Sequence, residues 1–272
     1  MAAYIDPTAF TFFGIDIKWY AIIIVSGIVL AVWLANKEAV KVGLREDDIT
    51  DFILWALPLA FIGARLYYII FDDWRYYLEN PLMILAFRNG GLAIYGGLIA
   101  GGLVVYFFTR YHFISTWKFL DVAAPSVIIA QSIGRWGNFM NHEAFGGNTT
   151  RSFLEGLHLP EFIIDNMYID GIYRQPTFLY ESLWNLLGFI VLIVLRRRKE
   201  FFREGEIFLS YLLWYGFGRF FIEGMRTDSL MVFGQLRVSQ LLSAVLFLAA
   251  AGLIVYRRKV VQSPYYDRKK EK

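Results

Sequence analysis

The 272 residues carry a formal net charge of +3, with 57% hydrophobic and only 19% charged side chains, and the mean hydropathy of +0.45 lies above the range of soluble domains. There is no cysteine, which excludes disulfides, thiolate metal sites and a cysteine nucleophile belonging to the chain itself. Charges cluster between apolar runs, and the 25 Phe, 17 Tyr and 8 Trp suit lipid-facing helices and interfacial belts.

Residues 1–18 hold Asp6 and Asp16 before any basic residue. They lack the positive start of a signal peptide, so the first apolar run is expected to stay as a helix. Seven segments approach the roughly 20 apolar residues that a membrane crossing needs: 18–36, 51–71, 91–110, 119–136, 177–195, 206–223 and 238–256. The second and sixth carry Arg65 and Arg219, and Asp121, Pro125 and Gln131 interrupt the fourth. Such interruptions face a bundle interior or a wet cavity. With the N-terminus outside, the inner connections and tail hold 17 Lys and Arg, including Arg268, Lys269, Lys270 and Lys272, and the outer segments, Arg88 among them, hold eight. That asymmetry predicts an N-out, C-in topology. Residues 137–176 are then an outer stretch with turn signals at Gly146-Gly147, Asn148 and Pro160. At about 40 residues it is too short for a good core of its own and reads as a small extracytoplasmic cap. The expectation is an all-α polytopic membrane protein of about seven helices, one integral membrane domain over residues 1–272.

Polar groups gather toward the outer side of six of these helices: Tyr20, Arg65, Tyr95, Arg135, Glu181, and Tyr215 with Arg219 and Glu223. In the sixth, Tyr215, Arg219, Glu223 and Arg226 follow i, i+4, i+8, i+11 spacing and share one stripe; the simpler reading is a stripe that holds the bundle together. The segment from Gly134 to Gly146 packs Arg135, Asn138, Asn141, Glu143 and glycines into one helix exit. An arginine at headgroup level suits a phosphate through its planar fork; for Arg135 alone, a snorkelling side chain is the plainer alternative. Gly97 and Gly101 read as a close-packing pair of small residues. Asp121 lies 14 residues before Arg135, about 21 Å along a helix, and reads as a structural carboxylate. Arg65 could pair with Asp72 or Asp73. His112, His142 and His158 are scattered without HxxxH or HExxH spacing, so no metal site is expected. No GxSxG elbow, P-loop or dinucleotide fingerprint is present.

Gly134-Arg135-Trp136-Gly137-Asn138-Phe139-Met140-Asn141-His142-Glu143 through Gly146 resembles the signature G-R-x-G-N-F-x-N-x-E-x-x-G of the bacterial prolipoprotein diacylglyceryl transferases, with every fixed position met. Lys18-Trp19-Tyr20, Gln175-Pro176 through Leu179-Tyr180-Glu181, and Tyr215-Gly216 through Arg219-Phe220 and Glu223 are similar to further motifs of that family. The resemblance implies transfer of the diacylglyceryl group of phosphatidylglycerol to the lipobox cysteine of a prolipoprotein, giving a thioether and glycerol phosphate. It implies no metal or soluble cofactor and no nucleic-acid partner. It also implies a multi-pass enzyme of the bacterial cytoplasmic membrane, working in membrane lipid with its site on the extracytoplasmic side. Many members carry a histidine before the Gly-Gly of the third helix; here that position is Tyr95, so a histidine base does not carry over.

Such a reaction needs a thiolate and a stabilised departing phosphate. The candidate catalytic residues are Arg135 and Arg219 on the phosphate, Tyr95 as proton relay, and Glu143. The candidate substrate-binding residues are Tyr20, Asn138, Asn141, Gly146, Tyr215 and Glu223 with the two arginines. The competing reading is a transporter or flippase for an anionic lipid, since intramembrane arginines fit that too. Transporters, however, favour midplane sites and internal repeats, and no repeat is visible.

Overall fold

The computed structural model describes residues 5–72, 74–86, 90–227, 231–232 and 236–266. The sequence expectations at Asp73, Arg88, Arg268, Lys269, Lys270 and Lys272 lie outside them. In chain order the elements are the hairpin β1 (Thr8–Phe12) and β2 (Ile15–Lys18), then α1 (Trp19–Lys41), α2 (Asp48–Phe71), the short α3 (Trp74–Glu79), a 3-10 turn (Pro81–Leu85), α4 (Ile94–Tyr111) and α5 (Thr116–Met140). There follow α6 (Arg151–Gly156), α7 (Glu161–Asn166), the hairpin β3 (Tyr168–Ile169) and β4 (Ile172–Tyr173), α8 (Thr177–Arg196), α9 (Glu206–Met225), the hairpin β5 (Met231–Val232) and β6 (Leu236–Arg237), and α10 (Val238–Tyr256). Among the described residues, β structure forms two-stranded hairpins and no closed sheet.

Among the described residues five helices are long and apolar enough to cross a membrane: Trp19–Lys41, Asp48–Phe71, Ile94–Tyr111, Thr177–Arg196 and Val238–Val261. The other two expected crossings are present as helices of 25 and 20 residues, α5 and α9. Asp121, Gln131 and Arg135 in one, and Arg219 and Glu223 in the other, keep them below that level of apolarity. The N-terminal hairpin was not expected; its turn is made by Phe13 and Gly14, both at positive φ.

The described residues fold as two compact units, one made of residues 5–34 and 120–266, the other of Ala35–Phe119. In the second unit α2 packs on α4. The close approach is at Gly63 and Gly96, where a Cβ on Gly63 would fall 2.8 Å from the Gly96 carbonyl oxygen. Gly97 lies against Ala60 and Ala64 as expected, but Gly101 meets nothing within 4 Å, so the packing pair is not Gly97 and Gly101. Arg65 is 7% exposed and spends its hydrogen bonds on carbonyls rather than on Asp72. It donates to Met83 (2.6 Å), Ile84 (2.9 Å), Gly90 (3.1 Å) and Gly91 (2.9 Å). Its fork thereby ties the connection between α3 and α4 back onto α2.

In the first unit, α8 is bound to α5 and α9 by two reciprocal polar locks. Ser132 Oγ donates to the Ser182 carbonyl (2.8 Å), and Ser182 Oγ returns the bond to Ser132 (2.9 Å). Trp184 and Trp214 stack at 4.4 Å, and each indole N–H donates to the other's carbonyl, at 3.0 and 2.9 Å. Glycines make the room: a Cβ on Gly188 would strike Trp214, and one on Gly218 would strike Trp184. Hydrogen bonds between helices of this kind contribute about 0.6 kcal/mol each in lipid, where no hydrophobic force draws helices together.

Asp121 is the structural carboxylate the sequence led us to expect. It is fully buried and accepts from the backbone N–H groups of Gly205 (2.5 Å) and Phe208 (2.9 Å). Gly205, at φ +90°, has no side chain to cap α9, so a carboxylate on α5 satisfies the orphan donors instead. At the other end of α5, residues 137–176 fold over Leu154, Ile163, Ile164, Met167 and Ile169, joined by Phe139 and Phe178 from the adjoining helix ends. Six of these seven side chains belong to the segment itself, and Phe178 at the start of α8 completes the cluster.

Candidate functional site

The site begins with how α5 ends. The His142 N–H bonds to Phe139 O and the Glu143 N–H to Asn138 O, both at 3.1 Å, with His142 at φ +52°. This is a Schellman ending with a histidine where glycine is usual. The turn folds residues 141–143 back on the helix. Asn138 Nδ2 then donates to Glu143 Oε1 (2.9 Å), and Asn141 Nδ2 approaches the same oxygen at 3.5 Å. One turn earlier, Arg135 Nη1 donates to Asn138 Oδ1 (3.2 Å).

Arg135 and Arg219 converge on one carboxylate. Glu181 Oε1 lies 2.6 Å from Arg135 Nη2, and Glu181 Oε2 lies 3.2 Å from Arg219 Nη1. Arg219 Nη2 also pairs with Glu223 Oε2 at 2.5 Å, along α9. The two carboxylates are 4% and 2% exposed, while the arginine side chains keep 21% and 13% of their surface. Two cations and two anions balance, which is how a low-dielectric interior tolerates them. The Ser132–Ser182 lock lies one turn from Arg135, and the tryptophan pair one turn from Glu181, so the network hangs on a fixed frame.

The remaining candidates of the same unit fall around it. Tyr215, one turn before Arg219, is within electrostatic reach of Arg219, Glu181, Arg135 and Glu223. The Tyr20 ring lies on Gly137, whose Cβ would stand 2.8 Å from it. Gly146 is buried and fixed through its backbone, its N–H donating to the Gln175 carbonyl at 3.0 Å. A Cβ there would fall 2.9 Å from both Gln175 Cβ and Thr177 Cγ2, so glycine is a packing requirement at that corner. Arg226, the last residue of the α9 stripe, forms a backbone bridge with Gly146. Tyr95 stands in the other compact unit, as the second residue of α4, half-buried, with its ring 6.4 Å from that of Tyr67.

The structure therefore joins Arg135, Asn138, Asn141, Glu143, Arg219 and Glu223 into one polar chain. Sequence reasoning left its hinge, Glu181, outside the list of site residues. The signal was available: Glu181 is the last residue of the Leu179-Tyr180-Glu181 match and the only carboxylate on α8. Among the described residues no group of three His, Cys, Asp or Glu side chains is placed to hold a metal ion.

A family model described as prolipoprotein diacylglyceryl transferase matches residues 7–256. A phosphatidylglycerol–prolipoprotein diacylglyceryl transferase of Enterococcus faecalis is 64% identical over 272 residues, covering 100% of this chain and 98% of its own. Proteins of the same name from Streptococcus sanguinis and Listeria innocua are 59% and 58% identical, covering 97% and 96% of this chain and 99% and 93% of their own. Matched along nearly its whole length, the chain belongs to the prolipoprotein diacylglyceryl transferase family.

Proposed function

We propose that this chain transfers the diacylglyceryl group of phosphatidylglycerol to the lipobox cysteine of a prolipoprotein. The thiolate sulfur attacks the glycerol carbon that bears the phosphate. A C–S bond forms, the C–O bond breaks, and glycerol phosphate leaves with the electron pair. The thiol proton passes to solvent or to the departing phosphate. The observation that carries the reading, in a member of this family, is two guanidiniums converging on a single buried carboxylate. Arg135 and Arg219 hold the phosphate and stabilise the charge that grows on it. Asn138, Asn141, Glu143 and Glu223 fix the two forks, Tyr20 and Tyr215 line their approach, and Gly146 sets the corner of the loop. On this reading Tyr95 relays the thiol proton on its way to solvent or to the departing phosphate.

The chain crosses the bacterial cytoplasmic membrane seven times with its N-terminus outside. On this reading α5 and α9 are the two polar crossings, their charges facing other helices rather than lipid. Residues 137–176 form the extracytoplasmic cap, and the site faces that side. Membranes containing the protein, given labelled phosphatidylglycerol and a lipobox peptide, are expected to yield a thioether-linked product and glycerol phosphate. Lipid movement between leaflets without thioether formation would instead support an anionic-lipid transporter.

A further inference from the structure

Glu181 has no place in the chemistry above, yet it is the partner the two arginines share. Each arginine keeps a second anchor, Arg135 on Asn138 and Arg219 on Glu223, so either can leave Glu181 without losing its position. The carboxylate offers Arg135 one oxygen and Arg219 the other, as two oxygens of a phosphate would. A phosphate that binds these forks must compete with it.

We propose that Glu181 is the exchangeable counter-ion of the arginine pair: it yields both guanidiniums to the phosphate of the arriving lipid and takes them back from the glycerol phosphate product. The charge balance supports this. Arg135, Arg219, Glu181 and Glu223 sum to zero, so an arriving phosphodiester adds one negative charge and the product, a dianion above pH ~6, adds two. Two arginines without such a competitor would hold the dianion and stall. Glu181 is nine-tenths buried, so its repulsion is poorly screened. It opposes the product about twice as strongly as the substrate, because the Coulomb energy is linear in charge.

The inference rests on the transferase reading, and the wild-type assay separates the two. Absence of thioether from the wild type overturns both. With wild-type activity in hand, Glu181→Gln keeps the shape and removes the charge. The apparent KM for phosphatidylglycerol is expected to fall about tenfold and the inhibition constant of glycerol phosphate about a hundredfold, the logarithm doubling with the ligand charge. A purely structural role would raise KM or deplete folded protein and leave the two constants in their wild-type ratio; that result overturns the proposal. A second measurement needs no variant. In the wild type, glycerol phosphate and its monoanionic methyl ester are expected to inhibit within about tenfold of each other, since the anion already in place offsets the extra charge. A dianion preference beyond that overturns the exchange, whether or not the glutamine variant folds.

Discussion

Arg219 touches two carboxylates that are almost wholly buried, and this changes what its removal would do. Arg219→Ala would take one guanidinium from each of them, leaving Glu181 to Arg135, and breaking a buried pair from one side costs about 3–5 kcal/mol. Arg135→Lys and Arg219→Lys separate chemistry from folding, because lysine keeps the charge and loses the planar fork. Both are expected to insert and fold, shown by an unchanged melting midpoint in detergent, while kcat for thioether formation drops by about 10²–10³. Wild-type turnover in either variant would remove the phosphate-holding role. The arginines were legible at this scale because a charge inside an apolar run is conspicuous. Glu181 was less so, since one carboxylate near a helix start resembles an ordinary N-terminal acid. For Arg65 the Asp72 pairing did not appear, for a physical reason: four backbone carbonyls satisfy a guanidinium as well as a carboxylate does, and sequence carries no mark of them.

At the scale of elements, α8 is the strut. Its serine lock to α5 and its tryptophan lock to α9 decide where Glu181 meets Arg135 and Arg219. Gly218→Val would drive a branched side chain into the Trp184 ring. Overpacking of that kind costs about 1–3 kcal/mol, and here it also parts α8 from α9. The expected outcome is a lowered melting midpoint together with lost transfer; transfer at the wild-type level would show that the site does not depend on that contact. Helices of this length were readable from hydropathy alone. The hairpin at Thr8–Lys18 was not, because its alternating aromatics merge into the apolar run that follows. The small-residue pattern on α4 indicated a close crossing but not its register, since Gly96, Gly97 and Gly101 differ only in which face meets α2.

For the whole molecule, the lack of cysteine makes topology directly measurable. Single substitutions Phe13→Cys and Glu161→Cys are expected to react with a membrane-impermeant maleimide in intact cells, and Lys199→Cys only after the membrane is opened. Labelling of Lys199→Cys in intact cells would refute the seven-crossing, N-out arrangement. The hydropathy and charge pattern makes a prediction at this level because it is summed over many residues, whereas the partition into two compact units depends on contacts no window can register. One of those contacts reaches further than its own stability. Asp121 pins the start of α9 to α5, and the arginine of each helix lies 14 residues beyond the pin, at Arg135 from Asp121 and at Arg219 from Gly205. The two helices are thus the legs of a pair of callipers, hinged at the carboxylate and equal in reach at about 21 Å. One alanine inserted into either leg alone would slide its tip by about 1.5 Å and swing it by about 100°. Such insertions at residue 128 or residue 212 are expected to abolish transfer; activity surviving either would mean that the arginines are set by their near-end contacts and not by the leg that carries them.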